Sequence, residues 1–191
     1  MDAVILDAVR TPYGRRGGVY RETRPETLLA HALCRLTERA GIAPAQIDDV
    51  IVGAVTQAGE QGANIGRLGV LAAGFPVTVP AVSLNRMCGS SQQAVHFAAQ
   101  VVAAGDGDFV IAAGVEQMTR VPMFSDIGGG FERLDPALVA RYDLIHQGES
   151  AERIAERWGI TRAEADDFAA ESHRRASAAA HTGANRELLP T

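Results

Sequence analysis

Short apolar runs alternate with helix-periodic segments over about the first 120 residues. The pattern predicts strands at residues 3–9 and in DDVIVGAV, VPAVSL and DFVIAAGVEQM, since each is a short apolar run next to turn residues. Helical spacing is found in PETLLAHALCRLTERAG, in ANIGRLGVLAAG and in the segment that opens near Gly89, with Pro25 in a first turn and Gly41 at a helix end. Apolar strands that alternate with helices are typical of parallel pairing, so we predict a layered α/β domain with a mostly parallel sheet at residues 1–120.

The pattern changes after RVPM. The segment FSDIGGGFERLDPALVARYDLIHQG has no sustained period and is rich in turn residues, so we expect it to be loop-dominated. Two helices are predicted to follow: SAERIAERWG, with Ser150 as its N-cap, and TRAEADDFAAESHRRASAAAHTG, where Thr161 and Glu164 match a capping box. Residues 121–191 are therefore predicted to form a second, incomplete domain of loops and helices.

Composition narrows the possible partners. The chain has 191 residues, 47% of them hydrophobic, which is ample for a packed core. A formal charge of −5 without a basic run argues against a nucleic-acid surface, and no apolar stretch approaches membrane-spanning length. Asp2 and an early Arg10 do not fit a signal peptide, and the two cysteines form no metal spacing or disulfide framework. We therefore expect a cytoplasmic protein whose partners are small molecules or proteins.

Cys88 follows a predicted strand and precedes a long predicted helix. Unpaired backbone N–H groups at a helix start favour negative charge, so this thiol is a candidate nucleophile; an inert buried thiol and a redox thiol stay open on spacing alone. The helix should be largely buried, because one side of it is apolar: Ala94, Val95, Phe97, Ala98, Val101 and Val102. His96 lies about 12 Å along that helix, beyond hydrogen-bond reach, so a base for Cys88 must lie elsewhere.

Several segments, in family order, resemble the thiolases, the enzymes that make or break 3-ketoacyl-CoA. VPAVSLNRMCGSSQQA resembles their acyl-enzyme cysteine segment, with Asn85, Cys88, Gly89 and Ser90 in the expected places. Further segments that resemble the family are RTPYGRRGG, QAGEQGANIGRLGVLAAGFP, GVEQMTRVPM and HQGESAERIAERWGITRAEADDFAAESHRRA. The resemblance implies that the Cys88 thiolate attacks a thioester and holds the acyl group, after which Claisen condensation runs forward or in reverse.

The resemblance also implies the rest of the site. The backbone N–H of Cys88 is expected to help stabilise an oxyanion, and His146 and Gln147 to lie near the pantetheine and acyl chain, in a loop domain that covers CoA. Coenzyme A or acyl-CoA is the expected substrate, with no permanent cofactor and no metal, and the expected assembly is a homo-oligomer, a dimer or a tetramer. Asn64 and Arg67 are candidates for a subunit contact near the active site.

Thiolases also carry a second α/β half with a Gly-His-Pro histidine as base, an Asn-Glu-Ala segment and a Cys-Gly-Gly cysteine, and none of these occurs in the sequence. We therefore expect a separate polypeptide, or the rest of a longer protein, to supply that half, and an apolar inner face to be exposed. Alternatives are a catalytically silent subunit that binds acyl-CoA or a partner, and a thiol sensor that uses Cys88. Other features have plainer interpretations: Cys34 fills space in a helix, DIGGGF is a flexible loop, and Arg67, Arg174 and Arg175 are solvated.

Overall fold

A parallel three-stranded sheet organises the first part of the chain in the computed structural model, which describes residues 2–190. Strand β1 is Asp49–Gly53, β2 is Ala81–Leu84 and β3 is Val110–Gly114, in the order β2-β1-β3. All pairs are parallel, and Val50 lies opposite both Ala81 and Ile111. Because helices connect these strands, the predicted α/β fold class is confirmed.

Three helices pack around this sheet: α1 at Pro25–Ala40, α2 at Ile65–Ala72 and α3 at Ser90–Ala104. Helix α1 begins at the predicted proline and ends at Gly41, whose left-handed φ of 67° stops the helix. Short 3₁₀ turns lie at Pro44–Gln46, Gly59–Gln61 and Phe131–Arg133. None of the helices among residues 2–190 has the length and apolarity needed to cross a bilayer.

The core lies on both faces of the sheet. On one face, α1 and α2 contribute Leu29, Leu33, Ile65 and Val70, which pack with Val50 and Val52 of β1. The two helices approach so closely that a Cβ on Gly69 would lie 2.7 Å from Cγ of Leu29. On the other face, Ala94 and Ala98 of α3 pack with Ile51. The result is a three-layer arrangement of helix, sheet and helix.

The predicted strand at residues 3–9 is wrong. The structure places no strand there, and Val4, Ile5 and Leu6 are 76%, 81% and 63% exposed. Backbone pairing begins only at Arg10, whose N–H donates to the Glu187 carbonyl at 2.9 Å and whose carbonyl accepts from the Leu189 N–H at 2.8 Å. A strand needs a neighbouring backbone as well as an apolar pattern, and no described residue provides one along residues 3–9.

The chain divides into two compact units, one of which reaches Asp126 and takes in the segment from Glu187, while the other is Ile127–Arg186. The second unit contains α4 at Pro136–Tyr142, α5 at Gln147–Trp158 and α6 at Arg162–Thr182. No described residue of these three helices is buried. The domain roles predicted for 1–120 and 121–191 stay predictions.

Two details of the second unit differ from prediction. The segment expected to be loop-dominated contains α4, which Asp135 caps by accepting a hydrogen bond from the Ala137 N–H at 2.7 Å. The predicted N-cap at Ser150 is wrong, since α5 begins at Gln147 and Ser150 lies inside its first turn. The capping box of α6 is confirmed: the Thr161 hydroxyl accepts from the Glu164 N–H at 3.2 Å, and the Glu164 carboxylate accepts from the Thr161 N–H at 2.8 Å.

Candidate active site

Cys88 lies in a tight turn between β2 and α3. The strand ends at Leu84, the helix begins at Ser90, and Cys88 is exposed in the five residues between them. The interpretation of Cys88 as an inert buried thiol is therefore wrong. The turn lies beyond the carboxyl end of a parallel strand, which is where open α/β sheets bind their ligands.

The turn contains one strained residue, Met87, and is held by the hydrogen bonds of a buried hydroxyl, that of Ser90. Met87 has a left-handed φ of 46°, which is rare for a residue with a long side chain. Ser90, 4% exposed, accepts a hydrogen bond from the Arg86 N–H at 2.9 Å and donates one to the Met87 carbonyl at 2.6 Å. The Gly89 N–H donates to the Arg86 carbonyl at 3.0 Å. These hydrogen bonds fix the chain reversal, in which the Cys88 side chain is exposed.

Two glycines let the start of α3 rest on the strand ends. A Cβ on Gly53, the last residue of β1, would lie 2.8 Å from the Ser90 carbonyl oxygen. A Cβ on Gly114, the last residue of β3, would lie 2.7 Å from Cβ of Ser91. Sequence reasoning missed both glycines, although each ends an apolar run and so marks a close backbone approach.

A polar cluster lies next to the same strand ends, and sequence reasoning missed it as well. Glu116 accepts hydrogen bonds from the Val55 N–H at 2.8 Å, the Thr56 N–H at 3.2 Å and the Gln61 side-chain amide at 2.8 Å. Gln61 is fully buried, and its side-chain oxygen accepts from the Gln117 N–H at 2.6 Å. This cluster ties the loop after β1 to the segment after β3.

The Cys88 thiol forms no hydrogen bond with any residue in the described part of the chain. His96 is six residues beyond the start of α3, about 9 Å along the helix axis, and it is exposed. The site as described therefore has an exposed thiol but no adjacent base. The expectation that the base lies elsewhere stays a prediction.

The expectation that α3 is largely buried is wrong. Only Ser90, Gln93, Ala94 and Ala98 are buried, whereas Val95 and Phe97 are 44% and 39% exposed. The reason is geometric, since α3 packs against β1 and β3 along one side. Its other side presents apolar groups to solvent.

His146 and Gln147 lie at the start of α5, in the second unit. Nδ1 of His146 accepts a hydrogen bond from the Gly148 N–H at 3.2 Å, so His146 is the N-cap that sequence reasoning placed at Ser150. An imidazole that accepts at Nδ1 carries its proton on Nε2 when neutral. The predicted contacts of these two residues with CoA stay predictions.

Asn64 and Arg67 have structural partners. The Asn64 side-chain oxygen accepts from the Arg67 N–H at 3.2 Å and from the Ser83 hydroxyl at 2.8 Å. The Arg67 guanidinium donates to the carbonyls of Val77, at 2.9 Å, and of Val79. The interpretation of Arg67 as simply solvated is therefore wrong, while the subunit contact stays a prediction.

Three other predicted features also have local partners. In DIGGGF, the Gly130 N–H donates to the Glu132 carboxylate at 2.9 Å. The backbone N–H of Glu132, together with that of Gly130, lowers the pKa of this carboxyl. Arg174 and Arg175 both pair with Glu171, at 2.6 Å. Cys34 is exposed rather than a packed filler, and partial burial raises the pKa of its thiol.

Comparison with known proteins places this arrangement in context. A family profile described as the thiolase N-terminal domain matches residues 3–191. The chain is 44% identical to a 3-ketoacyl-CoA thiolase of Escherichia coli over 193 residues, which are 98% of this chain and 49% of that protein. It is 39% identical to a beta-ketoadipyl-CoA thiolase of Acinetobacter baylyi over 98% of this chain and 51% of the relative. It is 41% identical to a steroid 3-ketoacyl-CoA thiolase of Mycobacterium tuberculosis over 95% of this chain and 47% of that protein. The chain thus spans about half the length of these relatives.

Proposed function

This chain belongs to the thiolase family, and we propose that it supplies the nucleophile half of an acyl-CoA acyltransferase. Cys88 is the nucleophile. The observation that carries the proposal is the exposed thiol on a strained turn between β2 and α3, at the carboxyl end of the sheet. A nucleophile in such a turn is reachable by substrate while its backbone is held by the fold.

The proposed reaction proceeds through an acyl-thioester. The Cys88 thiolate attacks the ketone carbon of a 3-ketoacyl-CoA, and the adjacent C–C bond breaks to release an acetyl-CoA carbanion, which a second acid protonates. The new acyl-cysteine is then attacked by the thiol of free CoA, which regenerates Cys88. Condensation is the reverse sequence. We propose that the backbone N–H of Cys88, two residues before α3, donates to the developing oxyanion.

The proposed base and acid lie in a second half of the fold. The resemblance assigns them to a Gly-His-Pro histidine and a Cys-Gly-Gly cysteine, and the 191 residues contain neither motif. The exposed Val95 and Phe97 on the helix that follows Cys88 support this proposal, because large exposed apolar side chains next to a reactive group mark a contact surface. Turnover therefore requires that second half, as a separate chain or as the rest of a longer protein.

The substrate is proposed to be a 3-ketoacyl-CoA, with coenzyme A as co-substrate and no resident cofactor or metal. His146 and Gln147 at the start of α5 would contact the pantetheine arm and the acyl chain. A homo-oligomer, either dimer or tetramer, and a cytoplasmic location complete the proposal, which places the protein in fatty-acid and related acyl-CoA metabolism.

The test is mass spectrometry of the intact protein after incubation with acetoacetyl-CoA. An acetyl adduct that maps to Cys88, is lost in Cys88→Ser and persists in Cys34→Ser would support the proposal; Cys34 is the matched control because it is also an exposed thiol. An adduct without turnover in the complete assembly would favour the silent acyl-CoA-binding subunit. Selective, reversible oxidation of Cys88 with no acyl transfer would overturn the proposal in favour of a thiol sensor.

A further inference from the structure

One peptide group, between Val55 and Thr56, connects three strand ends. Its carbonyl oxygen accepts a hydrogen bond from the side-chain amide of Asn85, which follows β2, at 3.0 Å. Its N–H donates to the carboxylate of Glu116, which follows β3, at 3.2 Å. The peptide itself lies in the loop after β1. Hydrogen bonds at both ends of one peptide polarise it in the same direction, so each strengthens the other.

Glu116 suits its position because all three of its partners are donors. Val55 and Thr56 supply backbone N–H groups and Gln61 supplies a side-chain amide, at 2.8 to 3.2 Å. The Gln61 amide also donates to the Thr56 carbonyl at 2.9 Å, and the residue is fully buried. An ionised carboxylate only accepts, whereas an amide in its place would turn an NH₂ group toward a donor.

Asn85 links the Val55–Thr56 peptide to the turn that contains Cys88. Its side-chain oxygen accepts from the Met87 N–H at 2.8 Å, so one side chain holds both the Val55–Thr56 peptide and the turn. Met87 is the left-handed residue, and Cys88 is its neighbour. Asn85 is itself exposed, so its hydrogen bonds serve the turn rather than the core.

We propose that Glu116 and Asn85 are positioning residues for Cys88, acting through the Val55–Thr56 peptide. The inference rests on the proposed nucleophilic role of Cys88. A left-handed Met87 is costly and persists only while its surroundings hold it, so loss of either side chain lets the turn relax. A displacement of about 1 Å of a reacting group can lower the rate on the order of 100-fold.

The structure offers a matched control at the opposite, amino-terminal ends of the strands. Asp48, just before β1, accepts hydrogen bonds from the N–H groups of Asp108 at 2.8 Å and Phe109 at 3.0 Å, just before β3. It therefore clamps the same two strands at their amino ends, although both of its hydrogen bonds end on one oxygen, whereas Glu116 uses two. Asp48→Asn weakens this clamp by replacing a charged acceptor with a neutral one, at the strand ends opposite to the turn that carries Cys88.

The experiment compares Glu116→Gln, Asn85→Ala and Asp48→Asn in the complete assembly that includes the second half, by acetoacetyl-CoA thiolysis and by iodoacetamide alkylation. Alkylation of Cys88 is measured as a ratio to that of Cys34 in the same molecules. We expect kcat to fall about 10- to 100-fold in the first two variants with little change in KM, the alkylation ratio to fall about threefold or more, and Asp48→Asn to change neither.

Asn85→Ala carries the test alone if Glu116→Gln does not fold, because Asn85 is exposed. Unchanged kcat and alkylation ratio in Asn85→Ala would overturn the inference, as would equal losses in Asp48→Asn. If the complete wild-type assembly neither turns over substrate nor forms an acyl adduct on Cys88, the proposed function fails, and the alkylation ratio still decides whether Glu116 and Asn85 position Cys88.

Discussion

Gly53 ends β1 directly beneath the first turn of α3, and we predict that Gly53→Ala displaces Cys88. The added Cβ would lie 2.5 Å from the carbonyl carbon of Ser90 and 2.8 Å from its oxygen. Ordinary contacts between carbon atoms are about 3.5–4.0 Å, so the start of α3 must move by about 1 Å. The Ser91 nitrogen obstructs the added Cβ as well, and all three atoms belong to the backbone, so no side-chain rotation relieves the overlap. Overpacking of this kind costs about 1–3 kcal/mol of folding free energy.

The displacement should appear in the rate as well as in stability. We expect kcat for acetoacetyl-CoA thiolysis by the complete assembly to fall on the order of 100-fold, with the stability loss measured by urea unfolding. Gly41→Ala is the control, because Gly41 has a φ of 67° and no atom within 4 Å of an added Cβ. It should lose about 1–2 kcal/mol from backbone strain and keep its kcat. A Gly53→Ala protein with wild-type stability and kcat would refute the reasoning.

Three further predictions concern stability. Leu33→Ala, at a side chain 1% exposed, should lower the free energy of unfolding by about 2–5 kcal/mol in urea titration, and a loss below 1 kcal/mol would contradict the packing described. Thr161→Ala should remove a cap worth about 0.5–2 kcal/mol, seen as faster amide hydrogen exchange in the first turn of α6 but not of α5. Arg120 donates to Glu60 and holds the pKa of that carboxyl below its usual range. That stabilisation is present above the unfolded-state pKa and is lost as pH falls through the lower folded-state pKa. The difference in unfolding free energy between wild type and Glu60→Gln should therefore shrink on acidification. Curves of unfolding free energy against pH that stayed parallel would contradict this.

Local pattern was enough for the elements whose partners lie within the described chain. The α1 boundaries followed from Pro25 and Gly41, because a proline lacks the N–H that a first turn leaves unpaired and a glycine adopts the left-handed end. The capping box at Thr161 followed from residue types three positions apart. The parallel pairing of the strands followed from their alternation with helices. Each of these depends on contacts that are short in sequence or imposed by chain connectivity.

The geometry around Cys88 could not be predicted in the same way, because it depends on contacts between distant positions. Glu116 reaches Thr56 across 60 residues and Asn85 reaches Val55 across 30. Neither residue belongs to an apolar period or a capping pattern, and although the resemblance singles out Asn85, it does not give the contact of Asn85 with Val55. The left-handed Met87 is equally hidden, since a methionine in that conformation is held by surrounding contacts and not by its own preference.

Two of the burial predictions that failed in the first unit concern apolar segments, and both failed in the same direction. Residues 3–9 and one side of α3 have the hydrophobic spacing of buried elements, yet Val4, Ile5, Val95 and Phe97 are exposed. Helix α3 also buries two polar side chains, Ser90 and Gln93, so the side that it turns to the sheet is not simply its apolar side. Exposed apolar side chains such as Val95 and Phe97 are typical of a contact surface. This agrees with the proposal that a second half covers the helix that follows Cys88 and brings the base to the nucleophile.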